Sequence, residues 1–400
     1  MRLIKISLYL FIFLGLTSCL VNPEQQPTMR TSKIDIIPPV RIKNKTLNIA
    51  YIHQGNRQID ENSINLEGVD IVNFAFASVK DNKPVLLNSA QDYSFKRIPL
   101  IKKRFPGIAC LISIGGYGTA EDFSVMAREE SQRNTFITQT IKLIRYYGFD
   151  GVDLDWEFPG MSNYDRQADK QNFTLLIKEL RFALDAASKH DKRKYLFTIA
   201  AGAFPAYLNF TEPRIVASYL DYIYLMTYDF MGQWNIYTGH HTNLYASKTR
   251  PGAVTIDRMV NLYINAGVPS KKIVIAAAFY GRRWTQTENV NYGLYRKGQG
   301  VGSIQYNKIE NLLKDSAYVT YWDTAACAPY LYNSVNGDFI SFDNALSLKY
   351  KVQYAKLHDL GGIMSWEYFS DSPDRKLSET IREQLTFYSF YPGFLSFCQK

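Results

Sequence analysis

The stretch Asp150-Gly151-Val152-Asp153-Leu154-Asp155-Trp156-Glu157-Phe158-Pro159-Gly160 alternates acidic and apolar residues with a period of two. That is the repeat of a strand, not the 3.6 of a helix. Asp153, Asp155 and Glu157 therefore share one face, spaced roughly 6.6 Å apart at twice the rise per residue. Like charges at that spacing raise one another's cost of ionisation, so the column needs a reason. A solvated helix face would need spacings of three and four. A calcium loop of the D-x-D-x-D-G kind fails because Phe158 stands where the tight turn needs glycine and Tyr164 where a bidentate Glu should close the site. A sheet edge protected by charge is the remaining structural alternative. The chemical reading is that crowding lifts one pKa, so that a Glu stays protonated near neutral pH and acts as general acid.

The run from Asp150 to Glu157 resembles the D-G-x-D-x-D-W-E signature of glycoside hydrolase family 18, the chitinase-like (β/α)8 barrels. The rest of the chain agrees with an α/β barrel. Strand patterns fall at Leu47–Ile52, Ile71–Ala77, Ala109–Ile114, Gly151–Phe158, Leu196–Ala200, Tyr222–Thr227, Ile273–Phe279 and Gly361–Trp366, the number a closed TIM barrel needs. Helical patterns lie between them. In Asn172–Ala187 the residues Phe173, Leu176, Ile177, Leu180 and Leu184 fall on one face. Another helix starts near Ser131 and ends at Gly148, a C-terminal cap immediately before the acidic strand. Between the seventh and eighth strands, residues 283–341 exceed a normal connection and hold short β-like runs at Tyr318–Trp322, Pro329–Tyr332 and Phe339–Phe342, which predicts a small α+β insertion. In the family such an insertion raises one wall of the cleft and is associated with processive or exo-type cleavage.

Further family motifs close the strands. Ser113-Ile114-Gly115-Gly116 resembles S-x-G-G, and the two glycines are expected to let backbone and substrate approach closely. Met226-Thr227-Tyr228-Asp229 resembles M-x-Y-D, and Trp366 ends the last strand. The resemblance implies that Glu157 protonates the glycosidic oxygen while the substrate's own N-acetyl carbonyl attacks the anomeric carbon, outside the two-carboxylate scheme. Asp155 would orient the acetamido N–H, Tyr228 would hold the acetamido oxygen, and Asp153 would share a proton with Asp155. Asp150 would anchor the strand's entry. By the same resemblance Tyr51, Phe76, Gly115, Gly116, Tyr117, Phe158, Met226, Asp229, Arg282 and Trp366 line the substrate site, with Trp366 as the floor under the central sugar. Two residues depart from the pattern: Phe158 stands where many chitinases have Tyr, and Tyr117 where Trp is frequent. Trp156 and the large insertion lean toward chitinase. The alternatives are an endo-β-N-acetylglucosaminidase acting on glycoprotein or peptidoglycan glycans, and a non-catalytic chitin-oligosaccharide-binding protein.

A chain of 400 residues, 46% hydrophobic and 21% charged, accommodates one decorated barrel over residues 46–400. The net charge of +9 comes from basic residues scattered along the sequence, with no nucleic-acid motif. The five histidines show no ligand spacing with the acids, and neither metal nor cofactor is expected. Residues 1–19 read as a secretory leader: Arg2 and Lys5 precede the apolar run Ile6–Leu16, which ends in Leu16-Thr17-Ser18-Cys19, resembling a bacterial lipobox. Cys19 is thus the expected lipidation site, residues 20–45 with their prolines a tether, and the cell envelope the location of a monomeric, membrane-anchored protein. Of the other cysteines, Cys110, Cys327 and Cys398, an odd number cannot all pair internally.

Overall fold

The computed structural model describes residues 46–386. The leader, Cys19, the tether and Cys398 lie outside the described residues. In chain order the strands are β1 Leu47–His53, β2 Ile71–Lys80, β3 Lys83–Val85, β4 Ala109–Tyr117, β5 Gly151–Glu157, β6 Leu196–Gly202, β7 Tyr222–Met226 and β8 Ile273–Ala278, then β9 Tyr280–Thr285, β10 Gln299–Gln305, β11 Val319–Asp323, β12 Ala328–Asn333 and β13 Asp338–Ser341, and last β14 Gly362–Trp366. The sheet runs β1-β14-β8-β7-β6-β5-β4-β2, and parallel pairing of β1 with β2 closes it. All eight expected strands are present and form a (β/α)8 barrel, with β3 folded back antiparallel on β2.

The alternation in β5 sorts its side chains between two layers. Val152, Leu154 and Trp156 face outward into the core shared with the helices, where Trp156 stacks on Phe123 at 5.4 Å between ring centroids. The acids consequently face the barrel interior. The helix Asp169–Asp191 lays Phe173, Leu176, Ile177, Leu180 and Leu184 on the same outer core, as its period requires. The helix Glu130–Tyr147 ends at Gly148, whose φ of 77° makes the left-handed cap that turns the chain into β5. Cys110 is a buried free thiol in β4.

The insertion is a five-stranded antiparallel sheet, β10-β9-β13-β12-β11, with its own core of Trp284, Leu294, Tyr330, Tyr332 and Phe339. It starts at Tyr280, before the boundary read from the sequence, because the chain leaves β8 and enters the second sheet almost at once. A helix, Tyr306–Leu312, follows β10.

Where the insertion returns to the barrel, Lys351 is fully buried and its Nζ donates to Asp343 and, at 2.6 Å, to Thr242. Asp343 also accepts from the backbone N–H of Ala278 at 3.0 Å, and Thr242 donates at 2.8 Å to the carbonyl of Thr227. The pair thus ties the end of β8 to the segment that carries Tyr228. Breaking a buried pair by removing one partner strands a charge, so Lys351→Met is expected to cost about 3–5 kcal/mol of stability. Urea unfolding measures this, and a loss below about 1 kcal/mol would refute the role assigned to the pair.

Candidate active site

The C-terminal ends of the parallel strands form the mouth, and the acids rise through the barrel toward it. Asp153 is lowest and fully buried. It accepts from Tyr51 on β1 and Ser113 on β4, both at 2.7 Å, and from Thr198 on β6 at 2.6 Å. Burial raises its pKa, and these three hydroxyl donors oppose the rise. The charge of Asp153 in turn acts on Asp155 above it. Asp155, 3% exposed, is pushed far above the usual carboxylate range by burial, then by Glu157 and Asp153, and its Oδ1 is buried without a hydrogen-bond partner. Glu157, at the last position of β5, is raised to about 7 by burial and by the negative charge of Asp229.

Asp229 is the counterweight. It follows β7 with a φ of 60°, which aims its carboxylate at Tyr280 and Arg282 on β9. Tyr280 donates at 2.7 Å, and Arg282 donates through Nε at 2.7 Å and through a second nitrogen. Burial alone would raise Asp229, but His241, 3.8 Å away, and the Arg282 guanidinium hold its carboxyl well below the usual carboxylate range. The remaining guanidinium nitrogen of Arg282 donates to Gln233 at 2.8 Å, and its plane lies over the half-exposed Trp234. Tyr228 sits between the two groups of acids, and burial followed by the charges of Asp155 and Glu157 keeps its hydroxyl protonated.

The floor is aromatic. Trp366 ends β14 and stacks on Phe76 at 5.6 Å, meets Tyr51 edge-on at 5.6 Å, and lies 5.8 Å from the exposed His53. Non-proline cis peptide bonds occur at Ala75-Phe76, Glu157-Phe158 and Trp366-Glu367, all at this mouth.

Several expected site residues also pack against the protein itself. A Cβ on Gly115 would lie 2.1 Å from the carbonyl oxygen of Asp155, and one on Gly116 would lie 2.9 Å from the ring of Phe76. The glycine pair therefore lets β5 and Phe76 close in, the close backbone approach expected of it. Phe158 packs on Phe204 and Tyr207, and Met226 is buried in the barrel interior. Tyr117, 93% exposed, stands out at the rim beside Glu157 in register. Trp156 faces away from the mouth. Asp150 lies at the far end of β5, accepting from Lys102 at 2.6 Å and from the backbone N–H of Cys110 at 2.9 Å, as an anchor should. Sequence reading missed Thr198, His241 and His53, which belong to no motif and reach the site only through the fold; Tyr280, two residues before the expected Arg282, joins it on Asp229. Among the described residues no cluster of His, Cys, Asp or Glu could hold a metal ion.

This arrangement offers a protonated carboxyl at the mouth, a second protonated carboxyl with an unpaired acceptor beneath it, a phenol donor and an aromatic platform. Residues 48–371 match the family described as Glycosyl hydrolases family 18. Chitinase A1 of Niallia circulans is 38% identical over 291 residues, 68% of this chain and 42% of that protein. Chitinase 1 of Aphanocladium album is 36% identical over 280 residues, 68% of this chain and 64% of that protein. The chain thus spans between about two fifths and two thirds of the length of these curated relatives. A family 18 N-acetylglucosaminidase from Paenibacillus barengoltzii superimposes with a TM-score of 0.79 at 36% identity, covering 85% of this chain and 100% of that one. A chitinase-like agglutinin from Robinia pseudoacacia gives 0.76 at 28% identity, covering 84% and 99%.

The field at Glu157 has a direct test. A general acid works only while protonated, so turnover is expected to fall as pH rises through about 7, where Glu157 loses its proton. Asp229→Asn removes the charge that helps hold that proton, and the alkaline limb of the kcat profile should move to lower pH. An unmoved limb would show that burial alone sets it.

Proposed function

Because the chain belongs to glycosyl hydrolase family 18, we propose that it is a chitinase, cleaving β-1,4-linked N-acetylglucosamine polymers or oligomers by a retaining, substrate-assisted mechanism. The observation that carries this reading is the column of acids on one face of β5, Glu157 at the mouth, its pKa raised to about 7, and beneath it the buried Asp155 with an unpartnered Oδ1. Glu157 gives its proton to the glycosidic oxygen as the C–O bond breaks. The acetamido carbonyl oxygen of the substrate attacks the anomeric carbon, and the unpaired Oδ1 of Asp155 accepts the acetamido N–H as positive charge develops on that group. Tyr228 donates to the acetamido oxygen and orients it. Water activated by the resulting Glu157 carboxylate then opens the cyclic ion with net retention. Asp153, fixed by Tyr51, Ser113 and Thr198, keeps Asp155 protonated by its proximity. Trp366, backed by Phe76, is the face on which the sugar stacks.

A second reading is favoured by one observation: the family 18 N-acetylglucosaminidase matches over its whole length. Release of single sugars from chitohexaose would favour that activity, and dimers or mixed oligomers the chitinase. Against a purely binding role, which the agglutinin likeness raises, stands Glu157, the residue a general acid requires.

Glu157→Gln is expected to lower hydrolysis of chitin oligomers by about 10²–10⁴ while leaving oligosaccharide binding in place. Fully deacetylated oligomers should be resistant in the parent enzyme. Cleavage of these at the rate of acetylated ones would refute the substrate-assisted step.

The leader and Cys19 further suggest a lipid-anchored monomer of the bacterial envelope. Cys19→Ala should shift the protein out of the membrane fraction, and retention there would reject the anchor.

A further inference from the structure

Glu157 ends β5, and the chain beyond it is a tightly held turn. The backbone N–H of Met161 donates to the carbonyl of Phe158 at 3.0 Å, and Gly160 within that turn has a φ of 75°. A Cβ on Gly160 would lie 2.2 Å from the ring of Phe210, so no side chain fits there. Both polar groups of Gly160 are engaged. Its N–H donates to Asp169 at 2.9 Å, and its carbonyl accepts from Arg166 Nε at 2.9 Å.

Asp169 is fully buried at the start of the helix Asp169–Asp191, yet its carboxylate turns to the loop and to a neighbouring helix. Besides Gly160 it accepts from the hydroxyl of Ser124, on the helix Ala120–Arg128, and from that of Ser162 at 3.4 Å. The two hydroxyls are themselves 2.7 Å apart. Burial raises the pKa of Asp169, the donors from Ser124, Gly160 and Ser162 oppose the rise, and the charge of Asp165 adds to it. Phe123, beside Ser124, stacks on Trp156, and Phe173, one turn after Asp169, meets the same indole edge-on at 5.7 Å. The two helices thus grip the residue before Glu157 through rings and the turn after it through a carboxylate.

We propose that Asp169 is a positioning residue for the general acid: by fixing Gly160 to the helices behind the barrel, it sets where the carboxyl of Glu157 stands at the mouth. The inference rests on the reading of Glu157 as that acid. Burying a carboxyl among hydroxyls and an amide is unfavourable unless each oxygen is satisfied, so stability alone is a poor reason to place one here. What the carboxyl adds to the ring contacts is direction. Its oxygens take donors from the turn and from a second helix at once, and a displacement of about 1 Å at a reacting group can cost about 10² in rate.

The competing role is purely structural, a staple between helix and loop, and the two give different readouts. The test measures kcat, KM and the pH profile on chitohexaose, with thermal midpoints alongside. Asp169→Ala is expected to lower kcat by about a hundredfold with KM near that of the parent. It should also move the alkaline limb to lower pH, because a loosened turn lets water reach Glu157 and burial is the first cause of its raised pKa. Asp155 on β5, Tyr117 on β4, and Tyr228 and Asp229 after β7 adjoin Glu157 or act on it, and all are the same in every variant. A moved limb therefore reports the turn. Asp169→Asn, which keeps an oxygen for the Gly160 N–H, should recover most of the lost kcat. Arg166 is exposed, so Arg166→Ala folds even where Asp169→Ala does not, and it should change kcat and the limb in the same sense by a smaller factor. A mere staple would lower the midpoint and leave kcat, KM and the limb at parent values. That result in Asp169→Ala, or in Arg166→Ala where the former does not fold, overturns the proposal. A parent that leaves chitohexaose intact overturns the general-acid reading and this inference with it, whereas an active parent with unaltered variants overturns this inference alone.

Discussion

The structure is organised around the cost of burying three carboxyls on one strand. Holding Glu157 at about 7 rather than 4.5 disfavours the folded state by about 3 kcal/mol once pH exceeds both values, since the unfolded chain ionises more easily. The direction is that of an acid whose folded pKa is raised: the penalty is absent below the unfolded value and complete above the folded one. Asp153 and Asp155 add to it in the same sense. The surrounding barrel supplies what offsets this, with hydroxyls from β1, β4 and β6 converging on Asp153 and a large apolar layer behind Val152, Leu154 and Trp156.

The same strand divides its labour along its length. At the entry, Asp150 is neutralised by two cations and fixes where β4, β5 and β6 begin. At the exit, Glu157 has only an anion, Asp229, for a charged neighbour. One motif therefore contains an acid paired with cations for structure and an acid whose pKa is raised for chemistry. What separates them is the company each keeps, because their intrinsic acidities are nearly equal.

Much of this was legible in the sequence. The period of two in Asp150–Gly160 correctly placed the acids on one face, and the apolar pattern of Asn172–Ala187 correctly marked the packed side of its helix. Spacing could not say which neighbour each inward group would meet. Gly115 and Gly116 were read as letting backbone approach closely, but spacing could not say that the backbone would be that of Asp155 and that the ring of Phe76 would lie against it. Trp156 marked the family within the motif, and alternation turns its ring outward to pack on Phe123. Thr198 reaches Asp153 only because β6 lies beside β5. The basic residues looked like background because Lys102 and Arg193 are distant in sequence and meet only at Asp150.

The insertion reaches the chemistry of the mouth through Asp229. Asp229 can hold the proton on Glu157 only while it is itself ionised, and burial works against that. Its partners Tyr280 and Arg282 both come from β9, the strand that starts the second sheet. β9 is in turn held between β10 and β13, with Trp284 and Phe339 packed at the centre of that sheet. His241 closes the site from the side, a ring whose charge burial disfavours and the nearby Asp229 favours. Arg282 is therefore the permanent charge that keeps Asp229 anionic, and Asp229 transmits that condition to Glu157. The second sheet thus sets the protonation of an acid on the first, so the electrostatics of the mouth depend on the two sheets meeting at the β8–β9 junction.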